Sequence, residues 1–225
     1  MDLTNLTLPD SACWPAKHKL NVSTQSLYET DGFFAVDVHL NCGFGTHMDS
    51  PSHSDKDGRQ IADLKITELI GKCVIIDVTP ECEKNPDYTL TIGRLKKFEE
   101  DNFEIPNESI ILLKTGWGKY FKEDSVKYLN ANPNEKCSFT DIGTMHFPGF
   151  SKESAEFLVK EKMCKGIGID TLSGDPGNTI DFPVHTALLM NDRFIIENLN
   201  LNEVNEGACT LMCLPLRLQG VPECP

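Results

Sequence analysis

Lys72-Cys73-Val74-Ile75-Ile76-Asp77-Val78-Thr79 is a short apolar run closed by an acid and a hydroxyl residue. Four to eight continuous β-branched and apolar residues bounded by polar ones mark a strand buried on both faces. Outward from it, Thr91–Asp101 carries charged and apolar residues at helical spacing. Ser109–Thr115 (SIILLKT) is a second run of the first kind. Strand, helix and strand in that order are the unit of a wound α/β sheet. The pattern continues towards the C-terminus. Ser151–Lys162 is an amphipathic helix, with Ser151 placed to cap it. Gly166–Thr171, Arg193–Leu199 and Cys209–Leu216 read as further strands. Towards the N-terminus, Phe33–Leu40 alternates partway and reads as a strand, whereas residues 1–30 look polar and irregular. The expected class is therefore α/β with a mixed sheet, in one domain spanning residues 1–225. The long irregular stretch from Asn130 to Phe150 is a candidate functional loop.

The chain has 225 residues, 21 basic against 34 acidic, for a net charge of −13. Clustered Lys and Arg are what phosphate backbones require, so this balance argues against nucleic acid as a partner. No stretch approaches the ~20 apolar residues of a membrane-spanning helix. The opening MDLTNLTLPDSACWP lacks a basic segment followed by an apolar one, which leads us to expect a cytoplasmic protein. The nine cysteines are odd in number and include no C-x-x-C pair, as expected of free thiols in a reducing compartment.

The chemistry concentrates in Gly45-Thr46-His47-Met48-Asp49-Ser50-Pro51-Ser52-His53. In an extended strand, residues 47 and 49 share one face, and Pro51 bends the chain before His53. Imidazole nitrogen with carboxylate oxygen is a donor set for zinc or manganese. A further imidazole just outside such a set is placed to act as general acid or base. Far downstream, His185 follows Phe182-Pro183-Val184, and Glu197 closes the apolar run Phe194-Ile195-Ile196. A carboxylate there is expensive to bury unless it is paired or binds a cation. His185 and Glu197 can therefore complete what His47 and Asp49 begin.

This G-T-H-x-D-x-P-x-H core resembles the signature of the cyclase family of metal-dependent hydrolases. That family includes bacterial-type kynurenine formamidases and isatin hydrolases. Asp2-Leu3-Thr4 is similar to its opening strand and Trp14-Pro15 to its Trp-Pro segment. Gly168-Ile169-Asp170-Thr171 with Ser173 and Asp175 is similar to its GxDTxSxD stretch. His185 and Glu197-Asn198-Leu199 are similar to its late histidine and ENL motif. The resemblance implies a cyclase-type fold, its sheet partly closed into a barrel and flanked by helices. It implies metal ligation by His47, Asp49, His185 and Glu197, with one or two ions of Zn2+ or alternatively Mn2+. It implies proton shuttling by His53, substrate contact by Trp14, hydrolysis of a small amide, formamide or lactam, and a homodimer or homotetramer. One position departs from the pattern. The histidine that usually precedes His47 by four residues is Gly43 here. Cys42, His39 and His146 are candidates to replace it, and the vacancy opens an alternative, a catalytically impaired homologue that serves as a binding protein. Lys114 either lines the site or lies at a strand end, and Trp117 is expected in the core.

Overall fold

The computed structural model describes residues 1–9, 11–14, 20–123, 125–131 and 144–225. Pro15, Cys137 and most of the Asn130–Phe150 loop lie outside these residues. In chain order the elements are β1 (Asn21–Ser26), α1 (Tyr28–Asp31), β2 (Ala35–His39), β3 (His47–Asp49), β4 (Ile70–Asp77) and α2 (Thr79–Lys84). Next come β5 (Thr89–Leu90), α3 (Ile92–Asp101), β6 (Ile110–Lys114), α4 (Tyr120–Glu123), α5 (Ser125–Leu129), β7 (Gly149–Phe150) and α6 (Lys152–Lys160). The last are β8 (Gly166–Ile169), α7 (Pro183–Leu189), β9 (Phe194–Glu197), β10 (Gly207–Met212) and β11 (Glu223–Cys224).

The main sheet runs β10-β4-β6-β8-β9-β3-β11. Its centre, β4-β6-β8-β9, is parallel, and β10, β3 and β11 are added antiparallel at the two margins. Side-chain alternation splits the sheet into two apolar faces. Val74, Ile76, Ile111, Leu113, Ile167 and Ile195 face the helices, packing with Leu95 and Phe98 of α3, Leu158 of α6 and Leu188 of α7. Cys73, Ile75, Ile110, Leu112, Phe194, Ile196 and Met48 point the other way into a second core with Leu211 and Cys224. Cys213, just past β10, touches Met48 of β3 at 3.6 Å between sulfurs. The two margins thus curl towards each other, which is the partly barrel-like closure expected.

The helix over 152–160 is capped as read, with Ser151 Oγ accepting from the Ser154 N–H at 3.1 Å. The Phe33–Leu40 strand forms as β2, but outside the main sheet, in an exposed hairpin with β1. Within residues 1–30, read as irregular, β1 supplies its partner strand and α1 begins, because a strand exposed on both faces needs no apolar periodicity. No helix among the described residues is long and apolar enough to cross a membrane. Eight cysteines are described, all free thiols.

Glycine lets β8 and β9 pack closely. A Cβ built on Gly166 would lie 2.5 Å from Phe194 Cε2 and 2.6 Å from the Phe194 carbonyl oxygen. Backbone cannot swing aside as a side-chain tip can. Gly166→Ala is expected to destabilise the fold by about 1–3 kcal/mol through overpacking, read as a lower urea midpoint with an unchanged slope.

Candidate metal centre

The register of the antiparallel margin assembles the site. His47 lies opposite Glu197 and Asp49 opposite Ile195, while Glu223 of β11 lies opposite Asp49. Met48 and Cys224 are committed to the inner core. Their neighbours His47, Asp49 and Glu223 must therefore emerge on the other face. The N-terminal turn of α7 delivers His185 to the same place.

His47 Nε2 lies 3.5 Å from Asp49 Oδ1 and 3.5 Å from Glu197 Oε2. His185 Nε2 lies 3.5 Å from Asp49 Oδ2 and 3.4 Å from Glu197 Oε1. Each carboxylate thus turns one oxygen to each imidazole. All four residues are buried. Among the sequence-predicted residues, the structure brings together His47, Asp49, His185 and Glu197, with His53 at the rim. The His53 ring centroid is 5.9 Å from that of His185, and its Nδ1 is 3.6 Å from Glu223 Oε2.

Local structure fixes both imidazoles. The His47 Nδ1 is 2.9 Å from the Gly45 carbonyl, and the His185 Nδ1 is 2.6 Å from Asp175 Oδ2. Carbonyl and carboxylate oxygens only accept, so each Nδ1 carries a proton and donates it. In the neutral tautomer both Nε2 lone pairs then face the Asp49 and Glu197 oxygens. Asp175 also accepts from the Val184 and His185 N–H groups at 2.7 and 3.0 Å, satisfying the start of α7 while orienting its histidine. Gly45 takes a left-handed φ of +77°, which turns its carbonyl to meet His47. Asn198 donates to that same carbonyl at 3.0 Å, tying the end of β9 to the start of β3.

The electrostatics call for positive charge. Both oxygens of Asp49 are buried and lack any hydrogen-bond partner, a costly arrangement for an ionised group. Burial pushes the Asp49 carboxyl up, but the facing His185 and His47 imidazoles, with His53 nearby, hold it well below its usual range. Burial, with the Asp49 charge, pushes Glu197 up to about 7. Burial presses the His47 imidazole towards its neutral form, but Asp49, Glu197 and the Gly45 carbonyl outweigh it and the net shift is upward. His185 is likewise raised well above its ordinary value: burial opposes protonation, and Asp175, Asp49 and Glu197 together overcome it. A cluster that raises two buried imidazoles and leaves a carboxylate without a donor fits a divalent cation. Separations of 3.4–3.5 Å are close to the roughly 3.3 Å between ligands that share a tetrahedral ion at 2.0–2.1 Å. Nδ1 donation to a carboxylate or carbonyl is the usual outer support of a ligating histidine.

Trp14 reaches the site through one ring. It meets Phe182 edge-on at 5.9 Å, and Phe182 meets His185 at 5.7 Å. The proposed substitutes for residue 43 lie elsewhere. His146 is exposed and bonds Asp87 at 2.9 Å, and His39 is exposed at the end of β2. The Cys42 thiol pairs with Cys224, whose side chain belongs to the opposite core. Lys114 serves neither this site nor open solvent. It bonds Asp77 at 3.0 Å and the Val204 carbonyl at 2.8 Å in a separate cleft. Trp117 is in the core as expected, its Nε1 donating to the Tyr128 carbonyl. Sequence reasoning missed Glu223, and it quoted Asp175 within a motif without seeing its bond to His185.

A parallel-centred α/β sheet with buried imidazoles and carboxylates gathered at its antiparallel margin frames a candidate metal centre of the kind enzymes use. The chain belongs to the Cyclase family, whose profile matches residues 1–176. It is 28% identical over 219 residues to kynurenine formamidase of Bacillus mycoides (strain KBAB4), covering 97% of this chain and 90% of that protein. It is 28% identical over 213 residues to isatin hydrolase of Roseibium aggregatum, covering 89% and 76% respectively. A solved isatin hydrolase bound to the product analogue thioisatinate superposes with a TM-score of 0.87 at 26% identity, covering 100% of this chain and 88% of that one.

Proposed function

We propose that this protein is a metal-dependent amidohydrolase that cleaves the C–N bond of a small formamide, lactam or related amide. The observation that carries the reading is the Asp49 carboxylate, buried without a donor between two imidazoles whose Nδ1 protons are already committed. His47, Asp49, His185 and Glu197 would hold the cation, zinc or alternatively manganese. Once bound, a divalent cation supplies Lewis acidity that eases deprotonation of water and stabilises developing oxyanion charge. The chain's own residues do the rest. Asp175 and the Gly45 carbonyl hold the imidazoles in one orientation. His53, at the rim and partly exposed, is placed to take a proton from the attacking water and return it to the leaving nitrogen. Trp14 and Phe182 offer aromatic surface to a planar substrate beside His185.

The alternative of a silent binding homologue finds no support, since the polar groups expected of a working site converge within one buried cluster. We further read residues 1–225 as one functional unit, because Thr4 bridges Leu199 and Glu223 pairs with Asp49 beside the site. A reducing cytoplasmic setting suits the free thiols. A homodimer or homotetramer would cover Val22, Phe33, Phe34, Val36 and Val38, exposed on the hairpin.

The test is hydrolysis of N-formylkynurenine and of isatin by metal-loaded and chelator-stripped protein. We expect turnover of at least one probe, lost on stripping and restored by Zn2+ or Mn2+. Turnover indifferent to stripping, or no hydrolysis of either probe, would overturn the reading.

A further inference from the structure

Gly43 sits beside the site but brings no side chain to it. A Cβ built there would lie 2.6 Å from Glu223 Oε2, 2.9 Å from its Cδ and 3.0 Å from its Oε1. The Glu223 carboxylate therefore fills the volume that a side chain at position 43 would enter. Its placement follows from register. β11 sets Glu223 opposite Asp49 and Cys224 opposite Met48. Cys224 and Met48 are both in the inner core, so Glu223 and Asp49 share the outer face. Glu223 is 8% exposed, and one of its oxygens, a His47 ring nitrogen and an Asp49 oxygen all lie within 4.8 Å of one another. Asp49, 1% exposed and lacking a hydrogen-bond donor, is directed into this group.

We propose that Glu223 is a metal ligand that takes the place of a residue-43 side chain, forming with His47 and Asp49 a second cation position beside that of Asp49, His185 and Glu197. The proposal rests on the reading of the cluster as a metal centre. Asp49, one oxygen towards each imidazole, is shared between the two positions. The consequence is chemical. A carboxylate oxygen replaces an imidazole nitrogen, so this position becomes more anionic and harder, and it favours Mn2+ over Zn2+ more than a histidine at 43 would.

The test is metal stoichiometry, independent of turnover. Chelator-stripped protein is equilibrated with Mn2+ or Zn2+, dialysed and assayed by elemental analysis, with calorimetric titration for affinity. The native chain is expected to hold about two ions per subunit, and Glu223→Gln and Glu223→Ala about one. Because Glu223→Ala vacates the space at Gly43, the double variant Gly43→His/Glu223→Ala is expected to return the count to about two. Glu223→Gln keeps the shape of the side chain, so it carries the test if the alanine variant does not fold. Equal stoichiometry and affinity in the native chain and the Gln variant would overturn the role of Glu223 while leaving the metal centre intact. A native chain that binds neither ion would overturn the metal centre itself.

Discussion

Asp49→Ala is expected to leave a folded protein that retains no divalent cation and has lost at least about 10³ in kcat/KM. The magnitude follows from the several kcal/mol of transition-state stabilisation a Lewis acid supplies, at about 1.4 kcal/mol per decade. The assignment to this residue follows from geometry. Asp49, like Glu197, reaches both imidazoles with separate oxygens, but unlike Glu197 it has no hydrogen-bond donor, and its charge also raises Glu197, which stands at about 7. Two measurements separate loss of the site from loss of the fold. Circular dichroism should be unchanged, because Asp49 makes no side-chain hydrogen bond that the fold depends on. The melting temperature, which added metal raises in the native chain through linkage, should no longer respond. Undiminished metal content in a folded Asp49→Ala protein would remove Asp49 from the ligand set.

The parts of this fold that could be read from sequence are those whose residues are buried as whole strands. Ile110–Lys114 and Ile70–Asp77 carry enough consecutive apolar residues to signal burial on two faces. Their alternation then assigns each side chain to a core. Glu197 was legible because it closes an apolar run, where burial without a partner is costly, and His47 and Asp49 because two donor types share one strand face; His185 stood out only as a complement to them. Other features have no local signal. β11 is two residues long, too short for a period, and the position of Glu223 depends on pairing with a strand more than 170 residues earlier. The role of Asp175 depends on a loop folding back onto the start of α7. β1 is exposed along nearly its whole length, so burial left no imprint on its composition, whereas its partner β2 was legible from the alternation within Phe33–Leu40. The choice among Cys42, His39 and His146 could not be made from spacing, because each is held by a partner or surface remote in sequence from position 43.

His53→Ala is expected to lower kcat by about 10²–10⁴, the usual contribution of a positioned general acid–base group, with KM and metal content near native values. The prediction turns on the different standing of His53 from the other two histidines. His47 and His185 are buried, with each Nδ1 bonded to a fixed acceptor. His53 follows Pro51 in a single 3₁₀ turn, its side chain is 32% exposed, and its nearest charged neighbour is Glu223 at 3.6 Å. A ligand benefits from being immobilised, whereas a proton shuttle must reach both water and the departing nitrogen. The geometry also permits a competing role, since ring or carboxylate atoms of Asp49, His53 and His185 lie within 4.8 Å of one another. Metal content decides between them. Loss of an ion together with activity would make His53 a ligand, and the proton would then have to travel through another group. Loss of turnover with full metal would fix it as the acid–base residue. In that case the shortfall should be largest for substrates with the poorest leaving groups, because expulsion of a basic nitrogen depends most on receiving a proton.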